Sequence, residues 1–411
     1  MSTHKKFKSR LLMLTASVAI ATSISGCVSF EPRADRDVMP LGQQSFNQYV
    51  QETTQWMSTH RRYVTNQHEV ELSHQLPFEI RPAKPNGKGV LMIHGFTDSP
   101  YNFVDIAHYL ADKGFLVRAL VLPGHGTKPE DMLEVTFDDW NRLIDEQTRI
   151  MSRDVKEVYL AGFSTGANLA IHEAYENPNV DGLVLISPAL SVRTNLVNFV
   201  PFVSLFIDWL KTPEEAAGGV TPFRYRTVPM QALNTFKASM DSAMGRVSGY
   251  PYDKPVLVFM AQNDSIVNTQ ELLPLMQKQF TNSRSQFVWY GDNLPDGTIA
   301  SDKRLTVLTD FLPKYKIRSF SHLGLVYSPK NPYYGINGKE RFCLRGQDEK
   351  LLQYCHEGKY VWYGSWTENR DAHPYARLTF NPYFDQQVQM IVETFGTSDR
   401  QLQILKLRSL Y

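Results

Sequence analysis

The feature that most constrains the fold is the alternation of short, mainly apolar runs with longer amphipathic segments. The run over residues 89–94 is continuously apolar through Val90, Leu91, Met92 and Ile93, which predicts a strand buried on both faces, as in a parallel sheet. The segments between the apolar runs place apolar residues at helical spacing. This alternation predicts a doubly wound, mostly parallel α/β sheet with its functional loops at the carboxyl ends of the strands. The predicted strands are residues 89–94, 115–122, 155–162, 182–187 and 255–260, and the predicted helices are residues 101–113, 136–153, 167–177 and 270–280.

A serine stands between the third predicted strand and the helix after it, in Gly162-Phe163-Ser164-Thr165-Gly166. A serine on a tight turn from strand to helix is held in a strained conformation that exposes its hydroxyl. The flanking glycines avoid collisions with the neighbouring strand and helix. Ser164 is therefore a candidate nucleophile. The alternative is a turn of small residues that packs a helix onto the sheet, and the pattern is common enough by chance that its partners must decide.

A serine nucleophile needs a histidine base and a carboxylate that orients it, and this fold supplies them in the order Ser, Asp, His. Asp264 follows the fifth predicted strand and is the candidate acid, with a helix N-cap as its alternative role. His322 is the candidate base, because it follows a strand-like run over residues 315–320. His373 is the second candidate for the base.

The oxyanion of an acyl-transfer reaction needs backbone donors close to the serine. His94-Gly95-Phe96-Thr97 directly follows the first buried strand, and Gly95 allows the backbone to approach a substrate. The amides of Phe96 and Thr165 are the predicted donors. A plain strand-ending turn is the alternative interpretation of this run.

Residues 88–325 resemble the α/β-hydrolase superfamily. Three runs are similar to bacterial carboxylesterases and monoacylglycerol lipases: His94-Gly95-Phe96-Thr97-Asp98-Ser99, Leu122-Pro123-Gly124-His125-Gly126 and Thr136-Phe137-Asp138-Asp139-Trp140. The resemblance implies hydrolysis of a small-molecule acyl ester through an acyl-enzyme, without a metal or an organic cofactor. It also implies that residues 190–251, between the fourth and fifth strands, form a cap.

The predicted hydrolase domain spans residues 86–411, after a tether and a helical and edge-strand segment over residues 27–85. Within the cap, the dense apolar run over residues 196–210 predicts a helix that packs on the core and lines an acyl-chain pocket. The spacing of 58 residues between Asp264 and His322 predicts an insertion between residues 291 and 314, where the runs 285–290 and 315–320 compete as strands. A further insertion over residues 326–380 precedes a last helix over residues 384–395.

The first 26 residues have the features of an export signal, with a basic start, an apolar stretch and then Ile24-Ser25-Gly26-Cys27. These four residues resemble the lipobox of bacterial lipoproteins, which implies a lipid on Cys27. An ordinary cleaved signal and a short membrane anchor are the alternatives. Val28 is not the aspartate that favours inner-membrane retention, so we expect an anchor in the outer membrane of a Gram-negative cell envelope. In an oxidising compartment Cys343 and Cys355 predict a disulfide rather than a metal site.

A net charge of +1, from 43 basic and 42 acidic residues, gives no bulk attraction to nucleic acid. The leading hypothesis is a lipid-anchored serine esterase. The same site is also compatible with a thioesterase, an amidase, a lysophospholipase or a carbon–carbon hydrolase. A third class, a non-catalytic envelope binding protein, predicts that His322 lies far from Ser164.

Overall fold

A central sheet of eight strands organises the protein, in a computed structural model that describes residues 37–204, 207–344, 346–366 and 373–396. Its strands are β1 (Phe78–Ile80), β2 (Lys88–Ile93), β3 (Leu116–Leu120), β4 (Glu157–Phe163), β5 (Val180–Ile186), β6 (Val256–Ala261), β7 (Gln286–Tyr290) and β8 (Leu305–Leu308). The spatial order is β1-β3-β2-β4-β5-β6-β7-β8. Every neighbouring pair is parallel except β1 with β3. The predicted α/β-hydrolase fold, with its mostly parallel sheet, is confirmed.

Helices cover both faces of the sheet because the central strands are apolar on both sides. Leu91 and Ile93 of β2 pack into one buried cluster, whereas Val90 and Met92 pack into the other. The helices begin and end at α1 (Phe46–His60), α2 (His68–Ser73), α3 (Val104–Asp112), α4 (Phe137–Asp154), α5 (Thr165–Glu176), α6 (Val200–Val203), α7 (Met230–Gly249), α8 (Thr269–Gln279), α9 (Glu349–His356) and α10 (Phe384–Gly396).

The segment before the sheet is tied to the loops at its carboxyl edge. The Tyr49 hydroxyl of α1 donates to the carbonyl of Val121 over 3.0 Å, in a buried position just after β3. Arg61 forms a buried ion pair with Glu71 over 2.8 Å and also donates to the carbonyl of Gly126 over 2.6 Å. A buried charge is tolerated when it is paired and hydrogen-bonded in this way. This N-terminal segment therefore supports the loop that carries His125.

The predicted strand over residues 315–320 is wrong, because the last strand of the sheet lies at an earlier position in the chain. The run over residues 285–290 does form β7, but the next strand is β8, inside the range predicted to be an insertion. Residues 315–320 form a 3₁₀ turn at Pro313–Tyr315 and an irregular loop. The pattern of apolar residues does not indicate β8, because this strand is short and only partly buried, as an edge strand can be. The long spacing between Asp264 and His322 therefore contains β8 and this loop.

A helical cap lies between β5 and β6, but its apolar run does not form the one helix predicted for residues 196–210. The structure has a 3₁₀ turn at Asn195–Phe199 followed by the single turn of α6. Pro201 contributes no backbone donor, which disfavours a long helix through this run. The long helix of the cap is α7, which packs against α5, the helix that follows Ser164.

The segment before the last helix forms a small second sheet closed by a disulfide. Its parallel strands are β9 (Trp362–Gly364) and β10 (Tyr375–Arg377), and α9 packs against β10. The predicted disulfide between Cys343 and Cys355 is confirmed, with the two Cα atoms 5.9 Å apart. The segment also joins the main core, because Tyr327 and Phe380 are buried in the same cluster as β2.

The predicted signal peptide and Cys27 lie outside the described residues. Among the helices of the described ranges, none has the length and apolar character that a membrane crossing requires.

Candidate active site

Ser164 stands at a strained turn between β4 and α5. Its backbone angles are φ 54° and ψ −115°, in the left-handed half of conformational space that side chains rarely occupy. Small neighbours make this turn possible. A Cβ atom on Gly166 would lie 1.9 Å from the carbonyl oxygen of Ile93, and one on Gly162 would lie 2.3 Å from the carbonyl oxygen of Gly166. The two glycines let α5 start directly against the sheet, with the serine at the apex of the turn.

The hydroxyl of Ser164 contacts an imidazole instead of capping its own helix. Ser164 is the N-cap residue of α5 but makes no side-chain capping bond. Its Oγ lies 2.9 Å from Nε2 of His322, and Nδ1 of the same ring lies 2.7 Å from Oδ2 of Asp264. All three residues are buried. The structure therefore brings together the three side chains that the sequence selected, in the geometry of a serine, its base and an orienting carboxylate.

Asp264 is held as an acceptor on both of its oxygens. Oδ1 accepts from the amides of Ile266 and Val267, over 2.8 and 2.9 Å, and Oδ2 faces His322. Burial acts to raise the pKa of this carboxyl, but the imidazole and the hydrogen bonds outweigh it and leave the pKa below the usual range. The N-cap position of α8 belongs to Asn268, so the alternative role of Asp264 as its cap residue does not apply.

The loop of His322 is anchored by its neighbours in the chain. Ser321 donates from Oγ to the carbonyl of Leu378 over 2.6 Å and accepts from the amide of Gly324. The carbonyl of His322 accepts from Ser187 over 3.3 Å. The second candidate base, His373, is exposed and stacks on Trp362, with ring centroids 6.0 Å apart. The structure thus brings His322, and not His373, to Ser164.

The predicted oxyanion donors are the backbone amides of Phe96 and of Thr165, the first residue of α5. Within the described ranges, neither the Phe96 amide nor the Thr165 amide has a hydrogen-bond acceptor. Thr97 has a φ of 68°, a strained value for a β-branched residue, and its amide donates to Nε2 of His125 over 3.2 Å. His125 therefore holds the Phe96–Thr97 backbone in place. This positioning role was not predicted, although the Leu122-Pro123-Gly124-His125-Gly126 run was noted.

His125 can accept from Thr97 only while its ring is neutral. Burial lowers the pKa of His125 to about 4. The neighbouring ring of His94 accepts from the Leu122 amide over 3.1 Å, and burial lowers its pKa well below the ordinary value. The two neutral, buried histidine rings therefore connect the turn after β2 with the loop after β3.

Acidification from about pH 6.5 to about pH 4 is expected to reduce the free energy of unfolding by about 3 kcal/mol through His125 alone. In this window the unfolded chain takes up a proton that the folded chain, with its lowered pKa, does not. The loss stops below about pH 4, where both states are protonated. His125→Gln keeps an acceptor for Thr97 and removes the titration. In urea unfolding at several pH values, the slope of its free energy of unfolding against pH should therefore be shallower than that of the wild type. Equal slopes for the two proteins would contradict this account.

A cavity of about 720 Å³ opens over Ser164 and His322, and most of its wall is apolar. The cap supplies much of that apolar wall, as expected for an acyl-chain pocket. The apolar lining residues are Phe96, Phe163, Val192, Val197, Phe199, Val200, Val203, Leu210, Met230, Leu233, Phe236, Ile266, Leu323 and Trp366.

The other lining residues are polar or charged. The charged ones form a charged wall of Asp98, Arg193, Arg224 and Arg377. No local sequence signal identifies Arg224 or Arg377, since they come from the cap and from β10 and meet only in the folded chain.

The fold and the site together define an α/β hydrolase. The family model described as serine aminopeptidase, S33, matches residues 84–214. Over 185 residues the chain is 34% identical to the thermostable monoacylglycerol lipase of Bacillus sp. (strain H-257), covering 44% of this chain and 71% of that protein. The chain therefore belongs to the same family of serine hydrolases as this lipase.

Other relatives are more distant. The chain is 24% identical to the carboxylesterase of Bacillus subtilis (strain 168), over 51% of this chain and 85% of that protein. A solved structure from the LipS and LipT pair of metagenome-derived lipolytic enzymes has a TM-score of 0.45 and 24% identity, covering 53% of this chain and 87% of that chain.

Proposed function

We propose that the protein hydrolyses carboxylic esters through an acyl-enzyme on Ser164. The observation that carries the proposal is the unbroken chain of contacts from Ser164 to His322 to Asp264, at the floor of a largely apolar cavity. Relatives that are named monoacylglycerol lipase and carboxylesterase support an ester as the substrate.

In the proposed reaction, His322 takes the proton of the Ser164 hydroxyl while Oγ attacks the acyl carbonyl. The new C–O bond produces an oxyanion, which accepts hydrogen bonds from the amides of Phe96 and Thr165. Asp264 keeps the protonated ring oriented and stabilises its positive charge. The ring then gives its proton to the leaving alcohol as the old ester bond breaks. Water, deprotonated by the same ring, then attacks the acyl carbon. As the bond from the acyl group to Ser164 breaks, the ring returns the proton to Oγ, which releases the acid and restores Ser164.

One of the alternatives, the binding protein, fits less well. A non-catalytic binding protein predicts a distant base, whereas Nε2 of His322 lies 2.9 Å from Oγ of Ser164. Thioesters, amides and lysophospholipids share the acyl half of the reaction, so they differ from a neutral ester only at the leaving group. The apolar wall built by the cap favours an acyl chain of medium length over a short one.

Hydrolysis of p-nitrophenyl esters from acetate to palmitate tests this proposal. We expect kcat/KM to be at least about tenfold higher for octanoate to dodecanoate than for acetate, because each buried CH₂ adds ~0.8 kcal/mol of binding. Ser164→Ala should be inactive on every ester. A folded wild-type protein that hydrolyses none of them, or that prefers a thioester or an amide of the same acid, would overturn the proposal.

We also propose that the chain is anchored in the cell envelope through a lipid on Cys27, in the outer membrane of a Gram-negative bacterium. The support is the basic and apolar start followed by Ile24-Ser25-Gly26-Cys27. In a Gram-negative host, radiolabelled palmitate should enter the full chain and not its Cys27→Ser variant. Equal labelling of the two would contradict the anchor.

A further inference from the structure

Arg377 carries a buried positive charge that makes no direct ion pair within the described part of the chain, although the nearby carboxylates of Asp264 and Asp98 favour its charged form. The residue is only 5% exposed, at the end of β10. Its guanidinium makes no hydrogen bond or ion pair within the described ranges, and its buried Nε has no acceptor. The group stacks on Trp366, with Cζ 4.5 Å from the ring centroid. Stacking on a ring gives the guanidinium no hydrogen-bond acceptor, and leaving the buried Nε donor unpaired is costly.

Arg377 lines the same cavity as Ser164 and His322, so a substrate in that cavity would lie beside its side chain. Burial lowers its pKa to about 10, which still leaves it charged at neutral pH. A group placed this way, beside a catalytic centre and without a partner, has the character of a binding residue.

A second arginine stands on the same wall. The Nε atom of Arg224 lies 3.7 Å from Oδ1 of Asp98, and its Nη2 donates to the hydroxyl of Thr97 over 3.5 Å. Asp98 forms no ion pair with Arg377 within the described ranges. Among the charged residues that line this cavity, the one carboxylate of Asp98 therefore stands against the three guanidinium groups of Arg193, Arg224 and Arg377, so the charged lining is net positive.

The charged wall and the apolar wall divide the cavity. The cap residues Val200, Val203 and Leu233 belong to the apolar wall, where an acyl chain would lie. A second cavity, of about 980 Å³, shares Arg224 and Trp366 with the first and extends the space beside the charged wall. Its charged lining is also richer in cations, with Lys211, Arg226 and Arg341 in addition to Arg224, against Glu215 and Glu340.

We propose that the alcohol part of the ester carries an anionic group, a phosphate or a carboxylate, which Arg377 and Arg224 bind. This inference rests on the proposed ester hydrolysis. The leaving alcohol receives its proton from His322, which lines the cavity together with the two arginines. A planar guanidinium binds phosphate and carboxylate oxygens through paired hydrogen bonds, which are stronger when both partners are charged.

Three esters with one acyl chain test this inference: 1-decanoylglycerol, 1-decanoylglycerol 3-phosphate and the decanoyl ester of glyceric acid. We expect wild-type kcat/KM for at least one anionic ester to exceed that for the neutral ester by about tenfold or more. The phosphate and carboxylate arms identify which anion is preferred. In Arg377→Gln the ratio of anionic to neutral kcat/KM should fall towards one, and Arg377→Lys should retain part of it.

Arg318→Gln is the matched control. It also removes a guanidinium stacked on a tryptophan, here with Cζ 5.5 Å from the Trp362 ring, but from a residue that does not line the cavity. It should keep the wild-type ratio. Because the readout is a ratio of two substrates on one protein, a partly unfolded variant does not distort it.

The outcomes separate this inference from the proposed function. A wild-type protein that hydrolyses none of the three esters contradicts the proposed function. Equal kcat/KM on the neutral ester and on both anionic esters overturns only the inference, and so does an anionic preference that survives unchanged in Arg377→Gln.

Discussion

Replacing His322 by alanine is expected to lower kcat/KM for ester hydrolysis by about four to six orders of magnitude. Without the imidazole, the Ser164 hydroxyl has no base 2.9 Å away to take its proton, and the leaving alcohol has no acid to protonate it. The residual rate comes from the oxyanion donors and from substrate binding alone. The measurement is steady-state hydrolysis of p-nitrophenyl decanoate.

His373→Ala is the matched control, and we expect it to keep the wild-type rate. Its ring is exposed and stacks on Trp362, away from the site. If His373→Ala lost activity while His322→Ala kept it, the assignment of the base would be wrong. Thermal unfolding of both variants shows whether a loss of activity comes from the missing base or from unfolding of the protein.

Replacing Gly166 by alanine is expected to lower the free energy of unfolding by about 3 kcal/mol or more. The added Cβ would lie 1.9 Å from the carbonyl oxygen of Ile93 and 2.6 Å from that of His94. Both are backbone atoms of β2 and the turn after it, so they cannot rotate away. Relief requires α5 to move off the sheet, which would displace Ser164.

Gly245→Ala is the control for the loss of a glycine in a helix. Gly245 lies inside α7, and no atom stands within 4 Å of an added Cβ. Alanine there should raise the free energy of unfolding by about 0.5–1 kcal/mol, because it has the higher helix propensity. Urea unfolding measures both changes. A Gly166→Ala protein as stable as Gly245→Ala would contradict the packing described around the serine turn.

The parts of the fold that sequence reasoning predicted are those encoded by local pattern. Strands β2 to β6 are mainly apolar because both faces of the sheet are covered, and such runs stand out in a sequence even where β3 carries the buried Arg118. The turn at Ser164 has its own glycines, and the disulfide joins cysteines that are close in the chain. Asp264 could be found because it follows a buried strand directly.

The parts that escaped prediction depend on distant residues. β8 is short and half exposed, so its assignment depends on pairing with β7 and not on its own composition. The run over residues 315–320 looks like a strand because Tyr315 and Ile317 alternate with charged residues, but Ile317 and Phe320 are buried in the core from a loop. Arg377 is far from Ser164 in sequence and reaches the cavity only through the small sheet of β9 and β10.

The most direct test of the account is covalent labelling of the folded protein by a fluorophosphonate, followed by peptide mass spectrometry. The strained turn presents Ser164 to His322, whose Nε2 atom lies within hydrogen-bond distance of its Oγ atom. We predict one adduct per chain, on the peptide that contains Ser164, and no adduct on a folded Ser164→Ala variant. An adduct on another serine, or a folded wild-type chain that stays unlabelled, would contradict the assignment of Ser164 as the nucleophile.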